Sequence, residues 1–379
     1  MTSPEKFTFP QNSSEKGENT KQQQVETGQE THEVLKFQER TPFDNKVDHL
    51  DTHDEIELPT DEERAKMDHD LKEFNTIFAE SDIDYYIDGG LIVSMMRGEY
   101  MRTHKDIDIS VARDDLEKLD KLLLSKNYGL FRVYPKNPND PRSVNVFERM
   151  SGEDLHSGEE EFLMIASINE QGKINDDTRL NFMDVHVIET KKTQKGFSGV
   201  ELPQEWFRPR DVIFRGQKFK IAHPAILAYI KLHRKRPYDQ TDLHNLAETD
   251  ELSSVDIDAI ERAIEQEFEN NTTAVSNIIK RVAPNITQDS TAEDVFDALM
   301  QDKDVADRIK KEEDKERVHK LAELITRQDD KSSENIIRVV IDAAGVEAEV
   351  SEQREKLSTL RQRVSNVEKI KEIKDNLEK

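Results

Sequence analysis

The sequence predicts an α+β fold, in which a small mixed β-sheet carries three aspartates, helices flank it and a mostly helical region follows. Three observations predict it. Short β-rich runs alternate with amphipathic segments between about residues 58 and 250. Beyond 250 the strand signals vanish and apolar residues recur only at helical spacing. A Gly-Gly pair, Gly89-Gly90, separates the first β-rich run from a compact apolar segment, as at a strand-to-helix turn.

Residues 1–57 read as a disordered tail, because they are rich in Gln, Glu, Lys, Ser, Thr and Asn with few aliphatics. Within them Val34, Leu35 and Phe37 form a short apolar group, a solvated tail segment or a docking motif. Order begins near Leu58. Thr60 followed by Asp61, Glu62 and Glu63 is a helix start, with Glu63 at the capping-box position. Met67, Leu71, Phe74, Ile77 and Phe78 continue that helix to about Ser81. A strand over 83–88 leads to Gly89-Gly90, and Leu91 to Met96 reads as a buried helix. Asp106 to Val111 alternates as a strand, and Leu116, Leu119 and Leu122 to Leu124 mark a helix. Prolines and glycines over 135–160 predict loops around a short strand near 144–147. Further strands fall at 162–168 and 180–188, with an edge strand at Phe219 to Ile221 and helices from Pro224 onward.

The domain boundaries read as 58–250 for the mixed domain, 251–345 for a helical region and 346–379 for a long helix or short coiled coil. In that last stretch Val350, Gln353, Leu357, Leu360, Val364 and Val367 step by three and four, a heptad seam. Heptads this few are marginal alone. The seam either joins a second copy or a protein partner, or packs onto the body of the same chain.

Composition excludes several classes. In 379 residues there is no cysteine, so disulfides, thiol catalysis and Cys-based zinc sites are ruled out. No apolar run approaches the roughly 20 residues that span a bilayer, and the N-terminus lacks a secretory pattern. A cytoplasmic protein is the expectation. Charged residues make up 36% and the net charge is -25, which repels nucleic acid over most of the surface. No aromatic–basic platform for single strands offsets that repulsion.

The chemistry lies in three pieces. Gly89-Gly90 allows backbone N–H groups to approach an anion, or is an ordinary turn. Asp106-Ile107-Asp108-Ile109 in a strand points both carboxylates one way, roughly 7 Å apart at the Cα level. Such a pair either repels on a solvated face or shares a hard divalent cation. In Met183-Asp184-Val185-His186-Val187, Asp184 and His186 share the face opposite Met183, Val185 and Val187. An aspartate in an apolar strand needs a cationic partner or a metal ion.

In this order the pieces resemble the nucleotidyltransferase superfamily that shares the DNA polymerase β palm. The stretch from Ile87-Asp88-Gly89-Gly90 through Asp106-Ile107-Asp108-Ile109 is similar to small-molecule adenylyltransferases of the aminoglycoside 2''- and lincosamide types. Their pattern is Gly-Gly, a short helix, then Gly-Arg-x-Thr-Arg-x-His-x-Asp-Ile-Asp. Gly98, Arg102, His104, Asp106 and Asp108 match it, while Glu99 and Met101 depart at the Arg and Thr positions. Met183 to Val187 resembles the strand of the third carboxylate, and the likeness continues at His223-Pro224 and Lys231. Arg236-Pro237-Tyr238-Asp239-Gln240-Thr241-Asp242 is similar to the family's Arg-x-Lys-Asp-x-x-Asp segment, with Tyr238 in place of the Lys. The resemblance covers about residues 65–250.

The resemblance implies transfer of a nucleoside monophosphate, AMP from ATP, onto a hydroxyl of a small molecule, with release of pyrophosphate. It implies two Mg2+ ions on Asp106, Asp108 and Asp184, which are the catalytic residues. It assigns nucleotide binding to Gly89, Gly90, Arg102, His104 and Lys231, though Arg102 and His104 sit where they would equally brace the turn. Basic residues cluster over 208–236, as a triphosphate collar or a solvated helix face. Asp239 and Asp242, three apart on one helix face, read as a helix cap paired with basic neighbours or as a second metal pair. Two alternatives stand beside the small-molecule acceptor: adenylylation of a protein in a toxin–antitoxin-like system, and an inactive scaffold acting through its helical C-terminus.

Overall fold

The computed structural model describes residues 37–40, 58–78, 81–104, 106–135, 145–152, 154–155, 162–175, 183–188, 199–234, 236–306, 309, 312–343 and 345–377. The remainder of the predicted tail, 1–36 and 41–57, lies outside the described residues, as does its group at Val34 and Leu35. Two compact units divide the chain. One takes residues within 19–194, 201–260 and 359–379, the other those within 195–200 and 261–358.

The first unit holds a mixed sheet of nine strands, ordered β1-β5-β4-β6-β7-β3-β2-β9-β8. In chain order its elements are β1 (Phe37–Arg40), α1 (Asp61–Phe78), β2 (Tyr85–Ile87), α2 (Leu91–Arg97), β3 (Ile107–Ala112), α3 (Leu116–Ser125) and β4 (Tyr128–Pro135). Then come β5 (Asn145–Arg149), β6 (Phe162–Ser167), β7 (Met183–Ile188), β8 (Arg210–Phe214), β9 (Gln217–Ile221), α4 (Pro224–Leu232) and α5 (Pro237–Ala247).

Helix α1 starts where its sequence signals it. Thr60 N–H donates to Glu63 Oε2 at 2.8 Å and Glu63 N–H donates back to Thr60 Oγ1 at 3.3 Å, which closes the capping box. Its buried stripe of Met67, Leu71, Phe74, Ile77 and Phe78 faces the sheet. The Phe74 ring stacks on Phe78 at 4.7 Å and meets Tyr85 of β2 edge-on at 5.6 Å. In β3, alternate residues Ile107, Ile109 and Val111 are buried in the same core, which fixes the register and turns Asp108 to the opposite face.

The sheet is larger than the sequence reading anticipates. Phe37–Arg40, inside the stretch expected to be disordered, pairs antiparallel with β5 as an edge strand. Strand β4 carries no alternation to read, because consecutive Leu130 and Phe131 are both buried. Phe219 to Ile221 is not an edge. Strand β9 bonds to β2 on one side and β8 on the other, and β8 takes the edge with Ile213 exposed.

The remaining helices are α6 (Ser254–Val282), α7 (Ala292–Met300), α8 (Lys303–Ala306), α9 (Glu312–Thr326), α10 (Ser333–Ala343) and α11 (Val346–Leu377). The second unit is helical, with a core that includes Ile279, Val282, Val295, Leu299, Ile325 and Ile336. The seam residues Val350, Gln353, Leu357, Leu360 and Val364 of α11 are buried within the single chain. Val367 is half-buried, and Ile370 and Ile373 past the seam are exposed. In the first unit α11 is tied down by Arg361 to Asp258 at 2.9 Å and Lys371 to Asp250 at 2.9 Å. No helix among the described residues is long and apolar enough to cross a membrane.

Candidate active site

The site forms where β2, β3 and β7 lie side by side. Strand β2 runs antiparallel to β3 with Ile87 opposite Ile109, and Asp88 N–H donates to the Asp108 carbonyl at 2.9 Å. Strand β7 runs parallel to β3 with Asp184 beside Asp108 and His186 beside Ser110. Paired residues in neighbouring strands share a face, so Asp106, Asp108 and Asp184 converge. One oxygen of each lies within 4.8 Å of the others. Asp106 is exposed and the other two are half-buried.

Gly89 closes one side of this group. Its φ is +68°, a left-handed backbone that favours glycine. A Cβ there would sit 1.9 Å from Asp108 Oδ2. Gly90 is at φ -70°, an ordinary helical value. Space is its constraint, since a Cβ would lie 2.0 Å from Arg102 Nη2 and 2.9 Å from Asp242 Oδ2. The glycine pair therefore lets a carboxylate press against the turn from one side and a guanidinium from the other.

A fourth carboxylate joins the group, one that sequence reasoning missed. Asp88 Oδ2 contacts His186 Nδ1 at 2.9 Å and accepts from the Ser110 hydroxyl. Its Oδ1 is buried without a hydrogen-bond partner among the described residues. Asp88, Asp108 and His186 form a second set whose ligand atoms lie within 4.8 Å of one another. The available signal was a carboxylate placed directly between a β-rich run and Gly-Gly.

The electrostatics follow from this crowding. Burial, and then the charges of Asp88 and Asp106, push the Asp108 carboxyl up to about 8. Burial and Asp106 push Asp184 up to about 6. Burial pulls His186 down, but the Asp88 contact and the surrounding carboxylates outweigh it and bring it to about 9. An excess of hard oxygen donors that resist ionising together, with one oxygen unsatisfied, fits a divalent cation such as Mg2+.

That fit makes cation affinity depend on pH. Ligation needs ionised carboxylates, so a cation displaces the protons that Asp108 and Asp184 retain. Mg2+ affinity is expected to rise between about pH 6 and 8 and then level off. Without cation these groups keep protons that the unfolded chain has released above its ordinary carboxylate range. Stability is then lost as pH rises from about 4 to 8, and saturating Mg2+ removes the slope. Calorimetric titration with Mg2+ in buffers of different ionisation enthalpy counts the protons. Release at pH 6.5 that disappears at pH 9 is the expected result, and equal affinity at pH 6 and 8 would refute it.

The residues assigned to nucleotide binding fall in three settings. Gly89 and Gly90 flank the carboxylates. Arg102 lies against Gly90, with Nε and Nη2 donating to Asp242 at 3.2 and 3.3 Å. Lys231 is buried and donates to Asp239 at 3.0 Å and Asp242 at 2.6 Å. Arg236 donates twice to Asp239, at 2.9 and 3.0 Å. Asp239 and Asp242 are thus saturated by cations, and neither belongs to the two metal-ligating sets. Lys231 is their buried counter-ion. His104 sits in the interior with Nε2 3.2 Å from Ser94 Oγ. Burial, and then the charges of Arg102 and Lys231, hold it well below the usual histidine value, so it stays neutral. Much of the supposed collar is spent in ion pairs elsewhere, among them Arg215 with Asp68, Lys218 with Asp211 and Arg210 with Glu251.

Residues 70–147 match the family model described as aminoglycoside-2''-adenylyltransferase. That segment carries Gly89-Gly90, Asp106 and Asp108, and β7 then brings Asp184 beside them. Over that segment the chain is similar to the nucleotidyltransferase superfamily. Among solved structures it is similar to the lincomycin-bound lincosamide antibiotic adenylyltransferase LnuA, at 18% identity over 50% of this chain and 98% of that one, with a TM-score of 0.32. It is also similar to an antigenic nucleotidyltransferase-like protein from Paracoccidioides brasiliensis, at 14% identity over 50% of this chain and 77% of that one, with a TM-score of 0.26. At these scores the two likenesses carry nothing further. No curated protein matches the chain.

Proposed function

We propose that this domain transfers the nucleoside monophosphate of a triphosphate, AMP from ATP, onto a hydroxyl of a small molecule of the aminoglycoside or lincosamide kind. The observation that carries this reading is the register-locked trio of Asp106, Asp108 and Asp184, with ligand atoms within 4.8 Å of one another beside Gly89-Gly90. Asp106, Asp108 and Asp184 would hold divalent cations. Bound there, Mg2+ supplies charge neutralisation for the phosphates and the reacting oxygens.

The rest is work for the chain's own groups. Asp184, ionised once a cation is held there and set beside Asp108, is placed to lower the acceptor hydroxyl's pKa or to take its proton. It takes the proton of the acceptor hydroxyl as that oxygen bonds to the α-phosphorus. The bond from the α-phosphorus to the bridging oxygen breaks, and pyrophosphate leaves. The turn at Gly89 and Gly90, with Arg102 packed against it, would cradle the β and γ phosphates. His186, held by Asp88, adds positive charge beside the carboxylates.

The test is incubation of the full chain with Mg2+, α-labelled ATP and a panel of hydroxylated antibiotics. Label appearing on one acceptor with equimolar pyrophosphate is the expected result. Asp184→Asn should keep nucleotide binding within a few-fold yet lose roughly 100-fold or more in turnover. An Asp184→Asn variant with near-normal turnover would remove that residue from the reaction. Failure of the wild type on every acceptor, with no ATP binding, would remove the reading itself.

A further inference from the structure

Asp242 lies outside the carboxylate trio, yet it reaches the glycine turn, beside Gly90 and bonded to Arg102. The contact is side-on: Nε and Nη2 of Arg102 share the two oxygens of Asp242. Nη1 donates to the Thr103 carbonyl at 3.2 Å. Those three bonds leave two of the five guanidinium N–H groups without a protein partner among the described residues. The Tyr238 ring backs the group, 4.7 Å from Arg102 Cζ. Gly90 lies so close that a Cβ would meet Nη2 at 2.0 Å. In this cluster three cations, Arg102, Lys231 and Arg236, face two carboxylates, Asp239 and Asp242.

We propose that Asp242 is a positioning residue for the triphosphate: with the Tyr238 ring behind it, it holds Arg102 against Gly90 so that the two remaining N–H groups meet a phosphate oxygen. This rests on the nucleotidyltransferase reading above. A guanidinium loose on its stem would lose rotamer freedom on binding, whereas one already clamped binds without that cost. Lys231 neutralises the second lone pairs of Asp242 and Asp239 and need not touch the nucleotide. Both oxygens of Asp242 already accept from Arg102 or Lys231, so it acts through Arg102.

A double-mutant cycle in the full chain tests this, with Arg102→Ala, Asp242→Asn and the pair together. Binding of α,β-methylene ATP with Mg2+ is compared with binding of AMP. Each single change is expected to weaken the triphosphate about 10- to 100-fold and to alter AMP binding less than about twofold. The pair should be no weaker than Arg102→Ala alone. Effects that multiply, or an Asp242→Asn variant of normal triphosphate affinity, overturn the proposal. So does an equal loss for AMP, which marks general damage. If Asp242→Asn folds poorly, Tyr238→Leu takes its place, with a loss confined to the triphosphate and restored by Tyr238→Phe. A wild type that binds neither nucleotide marks the failure of the underlying reading and takes the proposal with it.

Discussion

Replacing Asp106 and Asp108 together by asparagine is expected to abolish nucleotidyl transfer and Mg2+-dependent ATP binding while leaving the protein at least as stable as before. The two side chains supply most of the oxygen donors of the trio, Asp108 from β3 and Asp106 from the bend just before it. Losing the cations they would hold removes several kcal/mol of charge stabilisation, about three or more powers of ten in rate. The stability effect has the opposite sign. Burial, Asp88 and Asp106 push Asp108 up to about 8, so its ionised form strains the folded state. Neutral asparagines relieve that repulsion above pH 8 when no cation is present. Thermal melts and single-turnover transfer of labelled ATP check both halves. A double variant that keeps a tenth of the rate would exclude these carboxylates from the reaction. A sharp fall in Tm would mean that they support the fold instead.

Gly89→Ala should cost far more activity than stability. At φ +68° an alanine is disfavoured by about 1–2 kcal/mol, whatever surrounds it. Its Cβ would also come within 1.9 Å of Asp108 Oδ2, and the carboxylate must swing away from Asp106 and Asp184. Misplacing a reacting group by an ångström can cost about 100-fold in rate. Gly98→Ala is the control. Gly98 has φ +80° with nothing within 4 Å of its would-be Cβ, so it carries the same backbone cost and no collision. The expected pattern is a similar loss of stability by urea denaturation in both variants, and a large loss of turnover in Gly89→Ala alone. Equal turnover in the two would show that the Gly89–Asp108 contact does not matter.

The sequence was most legible where one residue type had one plausible use. The capping box at Thr60 and Glu63 and the apolar stripe from Met67 to Phe78 each state their own geometry, and the structure follows them; in β3 the alternation holds over Ile107-Asp108-Ile109, beyond which every residue is buried. It was least legible where burial is two-sided or depends on a distant partner. Leu130-Phe131 in β4 has no period to read, and Arg210–Phe214 becomes a strand only because β9 lies beside it. Five residues of the α11 heptad spacing, Gln353 among them, are buried, but periodicity cannot say which surface covers them.

The same division runs through the site. Local pattern alone determined that Asp106 and Asp108 share a face, that Asp184 and His186 share another, and that Gly89-Gly90 makes a turn, because these follow from the two-residue period of a strand and the missing Cβ of glycine. Only the tertiary structure decided that β7 runs parallel to β3 with Asp184 beside Asp108, that Asp88 holds His186, and that Asp242 turns Arg102 toward Gly90 while Lys231 is buried between two carboxylates. Those pairings join residues up to 140 positions apart. Their partners are chosen by register and by the need to neutralise buried charge, which no local period encodes.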